Sequence, residues 1–195
     1  MAFFTKSEAK VAAGTRRQRL AKSASQILGE SSRSEMGQMV FDVFLSHSIN
    51  DANLVLGVMV LLERQGLSVY VDWITDSELD RTNVTKETAA RLRDRMQHSK
   101  SLLYIASENA STSKWMPWEL GYFDGLRMGG VAILPLLDDA DDPFPEQEYL
   151  NLYPIVDKDI DPSSNSEAVF VEEYGKRWTR LKEFATGHPS WKRYA

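Results

Sequence analysis

The chain has no cysteine, so disulfides, thiolate catalysis and zinc–thiolate sites are excluded, and only three histidines are available as proton carriers or metal ligands. Long hydrophobic runs are missing as well. The longest, residues 58–62 and 131–137, fall far short of the roughly 20 residues that cross a bilayer, and the opening Met1-Ala2-Phe3-Phe4 is too brief for a signal-peptide core. A cytoplasmic protein without membrane attachment is expected. No G-x-G-x-x-G and no phosphate-loop lysine motif occurs, which argues against a dehydrogenase or an NTPase, and no serine sits on the glycine-flanked elbow of an α/β hydrolase. Asp138, Asp139, Asp141 and Asp142 crowd one stretch but lack the glycine and terminal glutamate of an EF-hand, while His47 and His98 have no partners at metal-ligand spacing. No metal site and no bound cofactor are expected.

What is present is enough apolar sequence, 43% of 195 residues, for one sizeable core with an appendage. The net charge of −5 hides an asymmetry: residues 1–39 hold seven Lys/Arg against three Asp/Glu, and the remainder holds 16 against 25. The larger part is therefore a poor binder of phosphate backbones, and a short basic segment is a weak footprint for nucleic acid. Within residues 1–38, Leu20, Ala24, Ile27 and Leu28 form one helical stripe that Gly29 can end, and Ser31-Ser32-Arg33-Ser34 reads as a linker. This basic arm is expected to pack on a neighbouring subunit or partner. The main domain is assigned to residues 39–186 and a tail to 187–195.

From residue 40 the chain alternates short apolar runs with longer amphipathic segments. Strands are expected at 40–46, 67–72, 101–106, 131–137 and, weakly, 152–156; helices at 52–64, 85–97, 115–128 and 166–185. Alternation of this kind predicts a doubly wound five-stranded parallel sheet of flavodoxin-like α/β class, with helices on both faces. In strand order 2-1-3-4-5 the winding reverses between strands one and three, and ligands bind beyond the carboxyl ends of those strands. The positions to inspect are therefore those just after Ser46 and just after Ala106.

Trp115 and Glu119 stand four residues apart at the start of the third helix, one above the other on the same face. At such spacing an indole and an acid are commonly a core aromatic and a solvated charge. Here, however, Met116, Leu120 and Phe123 form an apolar row, Trp115, Trp118 and Tyr122 an aromatic one, and Glu119 is nearly the only acid before Asp124. Gly121 and Gly125 cost about 1 kcal/mol each in a helix interior and suggest close approach of another group.

Three segments in register carry a family resemblance. Phe41-Asp42-Val43-Phe44-Leu45-Ser46-His47 resembles the opening box of Toll/interleukin-1 receptor (TIR) domains. Gly66-Leu67-Ser68-Val69-Tyr70-Val71-Asp72 is similar to their second strand, before the BB loop, and Trp115-x-x-x-Glu119-Leu120 resembles the helix motif of the enzymatic members. The similarity covers roughly residues 39–186, and the chain resembles the bacterial single-domain TIR components of Thoeris-type antiphage systems. It implies cleavage of the nicotinamide–ribose bond of NAD+, with Glu119 as the catalytic carboxylate, Trp115 as a stacking surface, and Ser46, His47, Asp72 and Trp73 lining the rest of the pocket. It also implies an ADP-ribose-derived signal read by a downstream effector, and a homo-oligomer built through TIR–TIR contacts. The stretch 74–85 lacks the glycine that many enzymatic members carry in the BB loop. A non-enzymatic TIR adaptor acting by homotypic assembly is the competing reading; scaffold-type members generally lack an acid at the position of Glu119. A receiver-like phospho-acceptor domain would need a pair of acids after its first strand, which is absent.

Overall fold

The structure is a computed structural model that describes residues 2–34, 40–73, 85–140, 142, 149–161 and 163–194. Five parallel strands form its centre: β2 (Phe41–Ser46), β3 (Val69–Tyr70), β4 (Ser99–Ala106), β5 (Val131–Leu137) and β6 (Ile155–Asp161), in the order β3-β2-β4-β5-β6. This is the expected order, with the first main strand flanked by the second and third. Register is set by Val43 opposite Val69 and Ser101, and Ser46 opposite Tyr104.

Alternate side chains of the sheet feed two cores. Val43, Leu45, Leu103, Ile105 and Leu134 pack with α1 (Lys6–Leu20), α2 (Ala24–Ser34) and α3 (Ala52–Arg64). Phe44, Leu102, Tyr104 and Ile133 pack on the opposite side with α4 (Lys86–Gln97) and α5 (Trp115–Leu126). Burial on both faces explains why β5 reads as an uninterrupted apolar run. Helix α4 begins where its sequence signals it: the Thr85 side chain accepts from the Thr88 N–H, and His98 forms the exposed C-cap.

Three expectations are corrected. Residues 1–38 do not form an arm with one short helix ended by Gly29 and followed by a linker. Strand β1 (Phe4–Thr5) pairs in parallel with Leu136 and Leu137, at the end of β5. A capping box between Thr5 and Glu8 then starts α1, and Ala21, at φ 51°, separates α1 from α2, which runs through Gly29 and the supposed linker. Ala24, Ile27 and Leu28 are buried in this chain's own core and Leu20 is exposed, so most of the stripe expected to meet a partner is used internally. The small face Ala9, Ala12, Ala13 lies on α3 at Gly57, where an added Cβ would meet the Ala9 carbonyl oxygen at 2.0 Å.

The second correction concerns the expected helix 166–185. It is replaced by an antiparallel extension of the sheet, β7 (Ser166–Glu173), β8 (Arg177–Arg180) and β9 (Lys192–Arg193), with a short α6 (Leu181–Phe184). Asn165 at φ 51° and Gly175 at φ 67° make the two turns, and the β-branched and aromatic run Val169-Phe170-Val171 is buried between neighbouring strands. Third, Gly121 and Gly125 face open space, with nothing within 4 Å of an added Cβ; the tight glycine contact is at Gly57 instead. The glycine-free stretch 74–84 and Asp141 lie outside the described residues. Among the described residues no helix is long and apolar enough to cross a membrane.

Candidate active site

Strand β2 ends in Ser46 and α5 carries Glu119 across the carboxyl end of the sheet, so two residues 73 positions apart meet: the Ser46 hydroxyl donates to Glu119 Oε2 at 2.6 Å. Both are buried, Ser46 completely and Glu119 at 2% exposure, which places the carboxylate inside the switch point rather than on the outer surface of the helix. Tyr104 lies opposite Ser46 in the sheet. Burial first, and the charge of Glu119 in addition, hold its phenol well above the ordinary value, so Tyr104 stays neutral.

One helical turn before Glu119, Trp115 is buried at the start of α5, with its ring edge-on to Trp118 at 5.4 Å. It walls a cleft of about 230 Å3 lined also by Ser48, Asn50, Thr112 and Ser113, that is, by the loops following β2 and β4. Pro117, in the first turn of α5, needs no amide partner there. The positive end of the α5 macrodipole thus points toward the cleft.

The other residues singled out from sequence form a second group. His47 Nδ1 lies 2.8 Å from the Leu45 carbonyl, and its ring stacks on Trp73 at 5.5 Å and 15°. Asp72 accepts from the Tyr70 hydroxyl at 3.2 Å and lies 3.5 Å from Arg91 of α4. Ser46 and Glu119 therefore meet directly and Trp115 precedes Glu119 by one helical turn, while His47, Asp72 and Trp73 are buried at the ends of β2 and β3.

Sequence reasoning missed the residue that joins the two loops. Asp51 stands where an N-cap of α3 is expected, yet its carboxylate makes no cap bond. It accepts instead from Ser107 Oγ at 2.5 Å and Asn109 Nδ2 at 2.7 Å, strapping the loop after β2 to the loop after β4. No local pattern distinguishes such an acid from an ordinary cap; only the two loop serine and asparagine donors, 56 and 58 residues away, hint at it. On the rim, Lys6 of α1 bridges Glu108 and Asp138 at 2.5 and 2.9 Å, fastening the N-terminal segment to the same loops.

A comparison with family models matches residues 43–169 to the TIR domain. Among characterised sequences, the chain is 46% identical over 164 residues, 84% of each partner, to a Bacillus cereus protein named as a probable 3′ cyclic ADP-D-ribose synthase, ThsB′. It is 32% identical over 92 residues to a Cytobacillus dafuensis protein provisionally named cyclic ADP-D-ribose synthase TIR2, of which the matched part is 24%. With the family's strand order, a matched segment spanning most of the sheet and a relative aligned over most of both lengths, the chain belongs to the TIR domain family.

Proposed function

We propose that this protein cleaves the nicotinamide–ribose bond of NAD+ and closes the freed ribose onto the adenosine half of the same molecule, releasing a cyclic ADP-ribose. The observation that carries the reading is the buried Glu119 carboxylate, held by Ser46 at the ends of the two central strands. The name of the relative aligned over 84% of its length supports it.

The chemistry fits a single carboxylate. Nicotinamide is attached to ribose as a pyridinium and leaves as a neutral base with the electron pair of the broken C–N bond, so it needs no general acid, unlike the leaving group of an ordinary glycoside. Positive charge then develops on the ribose ring. A fixed carboxylate in a site of low polarity stabilises that charge far more than water would, and Ser46 and the α5 scaffold hold it in place beforehand. In the second step a hydroxyl oxygen of the adenosine ribose bonds to the anomeric carbon and its proton passes to the Glu119 carboxylate and on to solvent. The balance is NAD+ to cyclic ADP-ribose, nicotinamide and one proton; attack by water gives linear ADP-ribose instead.

In this reading Trp115 supplies the stacking surface, and Ser46, His47, Asp72 and Trp73 line the remainder of the pocket. The product acts in the cytoplasm as a diffusible signal for a downstream effector in antiphage defence, and TIR–TIR contacts assemble the active homo-oligomer. A pure adaptor would have no use for an acid buried at this position, which favours the enzyme. The test is incubation of the purified full chain with NAD+ over a range of protein concentrations, with products separated by chromatography and identified by mass. Nicotinamide and a cyclic ADP-ribose are expected; intact NAD+ at every concentration contradicts the proposal.

A further inference from the structure

Trp115 is a wall shared by two clefts. The second, of about 580 Å3, opens on the α4 side and is lined by Lys86, Ala89 and Arg93 of α4, by Lys114 just before α5, and by Trp115 and Trp118 of α5. Its volume is within the range of small-molecule sites, roughly 300–1,000 Å3. Its charge is the anomaly. In a chain of net charge −5, three cations line one cleft with no acid among the lining residues, and among the described residues none of the three makes an ion pair. Both helices begin here, at Thr85 and Lys114, so the positive ends of two macrodipoles add to the same field.

The cleft also holds a fixed aromatic surface. Trp118 is half-buried, stacks on Tyr122 at 5.6 Å and 17°, and carries the Arg93 guanidinium 5.6 Å from its ring centroid. A flat ring beside three cations matches a nucleoside diphosphate: a purine displaces the Arg93 guanidinium from the indole, and the freed Arg93 joins Lys86 and Lys114 around the two phosphates. An uncharged heterocycle alone would not need the cations, and a free phosphate would not need the indole.

We propose that this cleft binds the adenosine diphosphate half of the dinucleotide, adenine against Trp118 and diphosphate among Lys86, Arg93 and Lys114. NAD+ then bends round Trp115 so that its nicotinamide ribose approaches Glu119. The inference rests on the NAD+-cleaving reading and adds the substrate's orientation and a determinant of product. Cyclisation competes with hydrolysis, and an adenosine held against Trp118, the residue next to Glu119, presents its hydroxyl at a high effective concentration. The cleft thus selects the cyclic product.

The test uses the full chain carrying Glu119→Gln, with two probes: ADP-ribose, which keeps the adenosine diphosphate half, and nicotinamide mononucleotide, which lacks the adenylate. Trp118→Leu is expected to weaken ADP-ribose by about tenfold, the loss that about 1.4 kcal/mol of stacking makes, and to leave the mononucleotide within about twofold. Trp118→Tyr retains a ring and retains binding. The double variant Arg93→Ala with Lys114→Ala, both exposed residues, weakens ADP-ribose and flattens its salt dependence without moving the thermal midpoint. In the chain with Glu119 intact, Trp118→Leu shifts product from cyclic to linear ADP-ribose. Equal losses for both probes, no loss for either, or no ADP-ribose binding before mutation overturns the assignment. Because the titrations need no turnover, failure of the cleft and failure of the NAD+-cleaving reading are read separately.

Discussion

The two ends of this sheet treat buried acids in opposite ways. Beyond β2 and β4, Glu119 accepts from Ser46, Asp51 from Ser107 and Asn109, and Asp72, beyond β3, from Tyr70. In the β6–β7 region Asp157 is fully buried, and neither of its carboxylate oxygens has a hydrogen-bond partner among the described residues. Burial first, and then the charge of neighbouring Glu172, pushes Asp157 up to about 8. The contrast separates two uses of a buried carboxyl group. With donors built around it, an acid can keep its charge away from water and offer it to a cation formed in a reaction; without them it gives the charge up.

Breaking the pairing at the site should make it resemble the surroundings of Asp157. Ser46→Ala removes the hydroxyl that donates to the Glu119 carboxylate and holds it in place; kcat is expected to fall by about ten- to a hundredfold. A kcat within about twofold of wild type would show that the Ser46 contact does not position the charge. Trp115→Ala removes the buried indole without touching either carboxyl group. About a tenfold rise in KM with a smaller change in kcat is expected, since stacking on a ring is worth about 1–3 kcal/mol. An unchanged KM would make Trp115 a core residue only.

The smallest effect is expected at Asp157, inside β6. Asp157 is raised in the folded chain to about 8, against about 3.9 when unfolded. The unfolded chain thus releases the proton first. The stability Asp157 confers is complete below about pH 4 and is lost as pH rises through the folded value, in the window between the two. Asp157→Asn should therefore raise stability over wild type by more than about 1 kcal/mol at pH 8, with the advantage vanishing toward pH 4. Denaturation curves across that range would refute the contrast if the two proteins shifted in parallel.

Much of the parallel sheet could be read from the chain because its strands are buried on both faces, as in the unbroken run Val131–Leu137. Helix α4 was legible from its Thr85 cap and α5 from its aromatic and apolar rows. The N-terminal segment misled because its contact face is alanine, which has no hydrophobic stripe to read; its fit depends on Gly57, more than forty residues further on. The C-terminal extension misled because Val169-Phe170-Val171 fits either period until Asn165 and Gly175 are seen to turn the chain through positive φ. At the site, the meeting of Ser46 and Glu119 at the strand ends was legible from motif and strand order. The Asp51 strap and the cationic cleft at Trp118 were not, since each exists only when loops or helices distant in sequence come together.

The account depends most on the charge of one side chain, and Glu119→Gln tests it most directly because it preserves the shape of the residue while removing that charge. The measurement is NAD+ turnover by wild type and variant at equal concentration, with the thermal midpoints compared. The account predicts loss of nicotinamide release by at least about a thousandfold, the scale on which a preorganised charge acts, in a protein that melts like the wild type. Nicotinamide release at the wild-type rate by a well-folded Glu119→Gln protein would contradict it.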